Sequence, residues 1–178
     1  MGRRRGDGGP DFMTPEQRAE KGQILPSSPF GEWLIKCAYS ANTILEIGTW
    51  HGLGSTLCLS MGLVRPEQRL WTIEQDAERH AEAQTYYSDP RITFIHGHAL
   101  DVLDQLPPVI DLLLLDGDDL STDAEWDALK DRTFAVALDD TRERKNRRQR
   151  EHIVSDPEWR VLVDVLHERN GWMIAARH

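Results

Sequence analysis

Asp116, Asp139 and Asp140 are the residues whose types and spacing point most directly to chemistry. Asp116 closes the apolar run Asp111-Leu-Leu-Leu-Leu, and Asp139-Asp140 close the run Phe134-Ala-Val-Ala-Leu. Both runs have the length and composition of buried strands. Neighbouring parallel strands lie about 5 Å apart, so the three carboxylates should converge at one sheet edge. Carboxylates that close repel one another unless one is protonated or a cation joins them. An all-oxygen set suits Mg²⁺, with Mn²⁺ or Ca²⁺ as further options, better than zinc. Ordinary acidic loop capping would explain any one of these residues; the set favours a cation.

A second constellation starts upstream, at Ile44-Leu-Glu-Ile-Gly-Thr-Trp-His-Gly-Leu-Gly-Ser-Thr56. A strand ending near Gly48 turns through Gly52 and Gly54 and enters a helix at Ser55. Glycine serves where φ is positive and where backbone must touch a ligand. The helix start offers free N–H groups to a carboxylate or phosphate. The dinucleotide pattern G-x-G-x-x-G is not met, because Ser55, Thr56 and Leu57 follow Gly52-Leu-Gly54. Glu74 lies 22 residues beyond Gly52, at the end of Leu70–Glu74. An acid at that distance, on the tip of a second strand, can accept hydrogen bonds from ribose hydroxyls. Alone, the loop could be a tight turn and Glu74 an exposed strand end. With His96-Gly97-His98-Ala99 after a third strand and Asp116 after a fourth, all four features fall where open α/β sheets bind ligands.

The elements that must position these residues alternate along the chain. Strands are expected at Thr43–Ile47, Leu70–Glu74, Ile92–His96, Asp111–Leu115 and Phe134–Leu138. Helices are expected at Phe30–Ala41, Ser55–Leu63, Ala77–Thr85, Leu100–Gln105 and Thr122–Lys130, the last opened by a Thr122-x-x-Glu125 capping box. That alternation implies right-handed crossovers and a parallel sheet covered on both faces. Arg160–Leu166 and Trp172–Ala176, joined across the turn signal Asn170-Gly171, read as an antiparallel hairpin at the end. Residues 1–13 read as a disordered Gly- and Arg-rich leader and residues 14–178 as one domain.

Composition narrows the function classes. The 178 residues carry a formal net charge of −9, which argues against bulk affinity for nucleic acid or anionic membrane. No apolar run approaches the roughly 18 residues of a membrane span, and the basic start lacks the apolar core of a secretory signal. Cys37 and Cys58, without metal-like spacing, read as buried free thiols of a cytoplasmic protein. One basic run stands out: Arg142, Arg144, Lys145, Arg147, Arg148 and Arg150, directly after Asp139-Asp140. On a helix over residues 143–154, Arg144, Lys145 and Arg148 would share a face that could clamp an anionic ligand. A solvated helix balancing nearby acids explains the same run.

The spacing Glu46-x-Gly48-x-x-x-Gly52 resembles the first motif of S-adenosylmethionine-dependent methyltransferases. The stretch Leu115-Asp-Gly-Asp-x-x-Ser-Thr122, with Leu138-Asp-Asp140 after the next strand, resembles the metal-dependent O-methyltransferases of the macrocin type, which act on sugar hydroxyls. The catechol and caffeoyl-coenzyme A O-methyltransferases are more distantly similar. The resemblance runs from about Phe30 to the C-terminus. It implies a Rossmann-like class I fold, a mostly parallel seven-stranded sheet closed by the C-terminal hairpin. It also implies S-adenosylmethionine held by Glu46, Gly48, Gly52, Ser55, Glu74, His98, Ala99 and Asp116. The metal would be held by Asp116, Asp139 and Asp140, and Asp118 would be the general base, with Asp116 beside it in the catalytic pair. Two departures bear on this: the catechol type carries asparagine where Asp140 stands, and few residues precede the first strand to form a lid.

The expected reaction is methyl transfer to a hydroxyl of a small molecule, a sugar or natural product, with an anionic acceptor if the basic run is a clamp. Dimerisation would complete a pocket that has no lid. The rival readings are a metal-independent N- or O-methyltransferase and a non-catalytic cofactor-binding subunit. Nucleic-acid methylation fits poorly, since the basic run has no interleaved aromatics for base stacking.

Overall fold

A computed structural model describes residues 24–178; the expected leader, 1–13, lies outside the described residues. Among the described residues, five α-helices and seven strands follow one another as α1 (Pro29–Ser40), β1 (Thr43–Ile47), α2 (Ser55–Met61), β2 (Arg69–Glu74), α3 (Ala77–Gln84), β3 (Ile92–His96), β4 (Ile110–Leu115), α4 (Thr122–Leu129), β5 (Thr133–Asp139), α5 (Arg144–Ser155), β6 (Trp159–Val165) and β7 (Trp172–Arg177). They form one sheet in the order β3-β2-β1-β4-β5-β7-β6. The first five strands are parallel, while β7 inserts antiparallel between β5 and β6. This is the Rossmann-like class I arrangement expected from the sequence. No helix among the described residues is long and apolar enough to cross a membrane.

Side chains alternate across a strand, and the central strands use that period to build two cores. Leu45, Ile47, Leu113, Leu115, Val136 and Leu138 face Trp126, Leu129 and Ile153 of α4 and α5. Ile44, Leu112, Leu114 and Ala137 face Phe30, Leu34, Cys58 and Leu59 of α1 and α2. Each fully buried leucine contributes roughly 1.5–3 kcal/mol of transfer free energy, so a one-residue register slip would move whole rows to the wrong core. Phe30 stacks on Trp172 with centroids 5.0 Å apart, tying α1 to β7. At the start of α1, Ser28 accepts a hydrogen bond from the Gly31 amide and Pro29 stands in the first turn, where its missing N–H costs nothing.

Register positions the site. Ile47 pairs with both Ile73 and Leu115, Leu115 pairs with Leu138, and Glu74 pairs with His96. The next residue of each chain therefore falls on one level: Glu74, Gly48, Asp116 and Asp139 stand side by side along the carboxyl edge. The strand bonding continues past the strand ends, with the Gly48 amide donating to Ile73 and the Asp116 amide to Ile47.

Two expected local structures are corrected. The segment 100–105 is not an α-helix but two 3₁₀ turns, Ala99–Asp101 and Leu103–Gln105, interrupted at Val102. Val102 tucks into the core, and Leu106 is held extended ahead of Pro107. The capping box at Thr122 does not form either. The Ser121 and Thr122 amides both donate to the Asp118 carbonyl, so the helix entry begins one residue earlier. The Thr122 hydroxyl joins them on that carbonyl, and the Ser121 hydroxyl donates to Glu125.

Candidate functional site

A cavity of about 330 Å³ opens on the carboxyl edge of the sheet. Its wall includes Gly48, Thr49, Trp50 and Gly54 from the β1–α2 loop, Ser55 at the start of α2, Glu74 at the end of β2 and Gln75 just after it. Gly97, His98 and Ala99 come from the end of β3, Asp116, Gly117 and Asp118 from that of β4, and Asp140 and Lys145 from beyond β5.

The loop is shaped by close approach. Gly48 has φ +98°, and a Cβ there would fall 2.3 Å from the Asp116 carbonyl oxygen, so only glycine lets β1 and β4 close at this level. Trp50 also sits at positive φ, 55°, and its amide donates to Glu74 Oε2 at 2.8 Å. The Asp76 amide donates to the other oxygen, Oε1, at 2.9 Å. Glu74 is thus fixed in orientation while each oxygen keeps a lone pair for a ligand hydroxyl. Arg79 lies over the Trp50 ring, 3.6 Å from its centroid, and both line the cavity.

Of the residues expected to hold the cofactor, Gly48, Ser55, Glu74, His98, Ala99 and Asp116 line this cavity. Two are placed elsewhere. Glu46 is fully buried behind the loop, where the hydroxyls of Ser55, Thr56 and Thr72 each donate to it at 2.6 Å. Thr49 bonds Thr72 in turn. Its strand parity explains the placement: Glu46 points to the α2 side, opposite Leu45 and Ile47. Burial pushes its carboxyl above the ordinary glutamate range, and the three hydroxyls oppose that rise. Gly52 abuts Ala83 on α3 and accepts a hydrogen bond from the Tyr87 hydroxyl, so it braces the loop from outside the cavity. His51 pairs with Glu82 at 2.6 Å, and His96 contacts the Gln75 carbonyl; only His98 reaches the cavity.

The three aspartates do converge: one oxygen each from Asp116, Asp139 and Asp140 lies within 4.8 Å of the others. Asp140 adopts φ 55°, and its side chain accepts from Asn170 at 3.1 Å. Two cations of the chain enter the same corner. The Lys145 ammonium bonds Asp116 and lies 3.4 Å from Asp140, while Arg169 pairs with buried Asp139 at 2.6 Å. Burial, the largest single influence, lowers the Lys145 pKa, but the charge and hydrogen bond of Asp116 together with the charges of Asp140 and Asp139 outweigh it and raise it. Burial raises the Asp116 carboxyl, Lys145 counters the rise, and Asp139 adds to it. Asn146 locks the corner from below, donating to the Leu115 carbonyl at 2.8 Å and the Asp139 carbonyl at 2.7 Å. Asp118 is exposed at the cavity rim, its Oδ1 accepting from the Leu120 amide.

The expectation of one basic face on α5 is corrected. A kink at Asn146 (φ −123°, ψ 15°) breaks the helical phase. Lys145 therefore turns into the cavity, whereas Arg148 pairs with Asp123 and Asp127 and Arg150 with Asp164. Asn146, Arg169 and Glu125 carry no site signal in the sequence, and Lys145 reads there only as one cation of the basic run, not as the partner of Asp116. A lysine and asparagine buried inside a cationic run leave no periodic signal, and Arg169 reaches the corner only through the hairpin.

A family described as a methyltransferase domain matches residues 45–140. No curated protein sequence matches the chain. Among solved structures, an O-methyltransferase from Bacillus cereus in complex with SAH is similar, with a TM-score of 0.72 at 22% identity, over 90% of this chain and 86% of that one. The O-methyltransferase TomG from Streptomyces achromogenes, involved in tomaymycin synthesis and solved with SAM, has a TM-score of 0.65 at 21% identity, over 93% and 91%. The SAH-bound methyltransferase PaMTH1 from Podospora anserina has a TM-score of 0.70 at 18% identity, over 94% and 84%. At these identities the likeness shows the fold.

Proposed function

This chain belongs to the methyltransferase-domain family, and from that premise we propose that it transfers a methyl group from S-adenosylmethionine to a hydroxyl of a small molecule. The observation that carries the reading is one cavity joining a ribose-type carboxylate, Glu74, to the corner of Asp116, Asp118, Asp140 and Lys145. Gly48 and Ser55 give the amino-acid part of the cofactor open backbone to lie against, and Glu74 receives the ribose hydroxyls. Transfer breaks the methyl carbon–sulfur bond as the acceptor oxygen forms its bond to carbon. The sulfonium charge is neutralised, and the acceptor must shed its proton. Asp118, exposed at the rim, is the base in this reading. Asp116 and Lys145 orient the acceptor oxygen towards the methyl group, so most of the acceleration comes from alignment.

Asp116, Asp139 and Asp140 are a fitting ligand set for a divalent cation, since they present three convergent hard oxygens. Bound there, Mg²⁺ would lower the pKa of the acceptor hydroxyl. Lys145 would have to leave Asp116 to admit it. That same contact favours a second reading, in which Lys145 and Arg169 already neutralise the corner and transfer needs no metal. An anionic acceptor would meet Lys145 and Arg79, the cavity cations, rather than the outer arginines of α5.

The test is a screen of hydroxylated acceptors with labelled S-adenosylmethionine, in Mg²⁺ and in EDTA. Turnover lost in EDTA and restored by Mg²⁺ or Mn²⁺ supports the metal reading, and full turnover in EDTA supports the second. Cofactor binding without turnover on any acceptor would instead leave a non-catalytic binding subunit.

A further inference from the structure

Glu125 is buried, 3% exposed, in the first turn of α4, and it borders the cavity beside Gly117, Ser121 and His98. Its Oε1 accepts from the Ser121 hydroxyl at 2.9 Å. Its Oε2 is buried with no hydrogen-bond partner among the described residues. A buried carboxylate oxygen without a partner is costly, and persists most readily where a ligand completes it. Gly117 leaves the ground in front of it open. A Cβ there would stand 2.9 Å from Ile47 Cγ2 and 3.2 Å from Glu125 Oε2, filling the space between the two. The mechanism above makes no use of this group.

The cavity indicates what the missing partner is. The acceptor corner is taken by Asp116, Asp140 and Lys145, and the ribose by Glu74. Part of the remaining wall combines apolar Ile47, Ile73 and Ala99 with the Gly97 and Gly117 backbone, a surface suited to a flat ring, while Gln75, His98 and Ser121 add polar groups and Glu125 completes the lining. A donor on a planar ring fits both the apolar part and the open carboxylate oxygen. We propose that Glu125 accepts a hydrogen bond from the exocyclic amino group of the cofactor's adenine, and so selects an aminopurine. This rests on the S-adenosylmethionine reading. Burial, reinforced by Asp118, raises the Glu125 carboxyl, and its bond from Ser121 opposes that rise; a donor on Oε2 relieves the same desolvation.

The test is a cycle between residue 125 and the 6-amino group, read by calorimetry on the intact protein. The ligands are S-adenosylhomocysteine and its 6-deamino analogue, which carries unsubstituted purine. Wild type should bind the adenine form about tenfold to a hundredfold more tightly, as for one hydrogen bond to a charged acceptor. In Glu125→Leu the two ligands should bind within about twofold of each other. Glu125→Gln keeps the shape and covers the case in which the leucine variant does not fold. Its ratio should fall to a few-fold, because a neutral acceptor makes roughly half as strong a bond. A preference for adenine that is equal in all three proteins overturns the assignment, since the amino group is then read elsewhere. If wild type binds neither ligand, the cofactor reading itself fails and takes this one with it.

Discussion

Lys145 sets its ammonium against the Asp116 carboxylate and 3.4 Å from Asp140, in the corner where Arg169 holds Asp139. A cation tethered to the chain thus stands where three carboxylates could gather a free one. The two cannot share Asp116 at full strength, so Lys145 and a divalent ion should compete.

Lys145→Met removes the tethered competitor and strands the carboxylates. Without metal the variant should lose about 3 kcal/mol, the scale of breaking a buried pair, read as a lower denaturation midpoint. Mn²⁺ should recover much of that loss and should bind the variant more tightly than wild type. A midpoint indifferent to Mn²⁺ in both proteins would remove the metal site and leave Lys145 as the resident cation.

For Glu74, whose two oxygens are aimed by the Trp50 and Asp76 amides, the measurement is S-adenosylhomocysteine affinity. Glu74→Ala should weaken it by about 1.5–3 kcal/mol, part of that through a looser Trp50 loop. Calorimetry showing an unchanged constant would move the ribose away from β2.

Asp118→Asn separates catalysis from binding. The side chain sits at the rim and is not part of the buried lattice, so folding and cofactor affinity should hold. With Asp118 as base, kcat should drop about 10²–10⁴-fold. A variant that keeps its kcat assigns the proton to another group.

The strands and the row of site residues were legible because both depend on local pattern. Five apolar runs of strand length, each ending in glycine or an acid, imply a parallel sheet and place Gly48, Glu74, Asp116 and Asp139 at the carboxyl ends of its strands. What could not be read was direction. Glu46 looks like part of the glycine motif, yet strand parity turns it away from the cavity and into a cage of hydroxyls. On α5, uninterrupted helical phase would group Lys145 with Arg148; the kink at Asn146 sends the first into the site and the second to α4. Glu125 reads as half of a capping box, and its burial beneath Gly117 is a tertiary fact with no trace in spacing.

The cage around Glu46 makes a prediction about pH. Its carboxyl is held above the ordinary glutamate range by burial, despite three donated hydroxyl bonds. The folded state therefore holds this proton more tightly than the unfolded chain does. By linkage, the contribution of Glu46 to stability is fully present below the unfolded pKa and is lost as pH rises through the raised folded value. Above that window the ionised carboxylate is a net cost beside its neutral form. Glu46→Gln removes the titration while keeping the volume, and the hydroxyls of Ser55, Thr56 and Thr72 can rotate to suit the amide. Denaturant midpoints measured from about pH 4 upward should fall more steeply for wild type than for the variant, with the difference growing until Glu46 is ionised in the folded protein. Other raised carboxyls, Asp116 and Glu125, remain in both proteins and cancel in the difference. Parallel curves would mean that the three hydroxyls offset the burial fully, leaving Glu46 ionised at no cost to the fold.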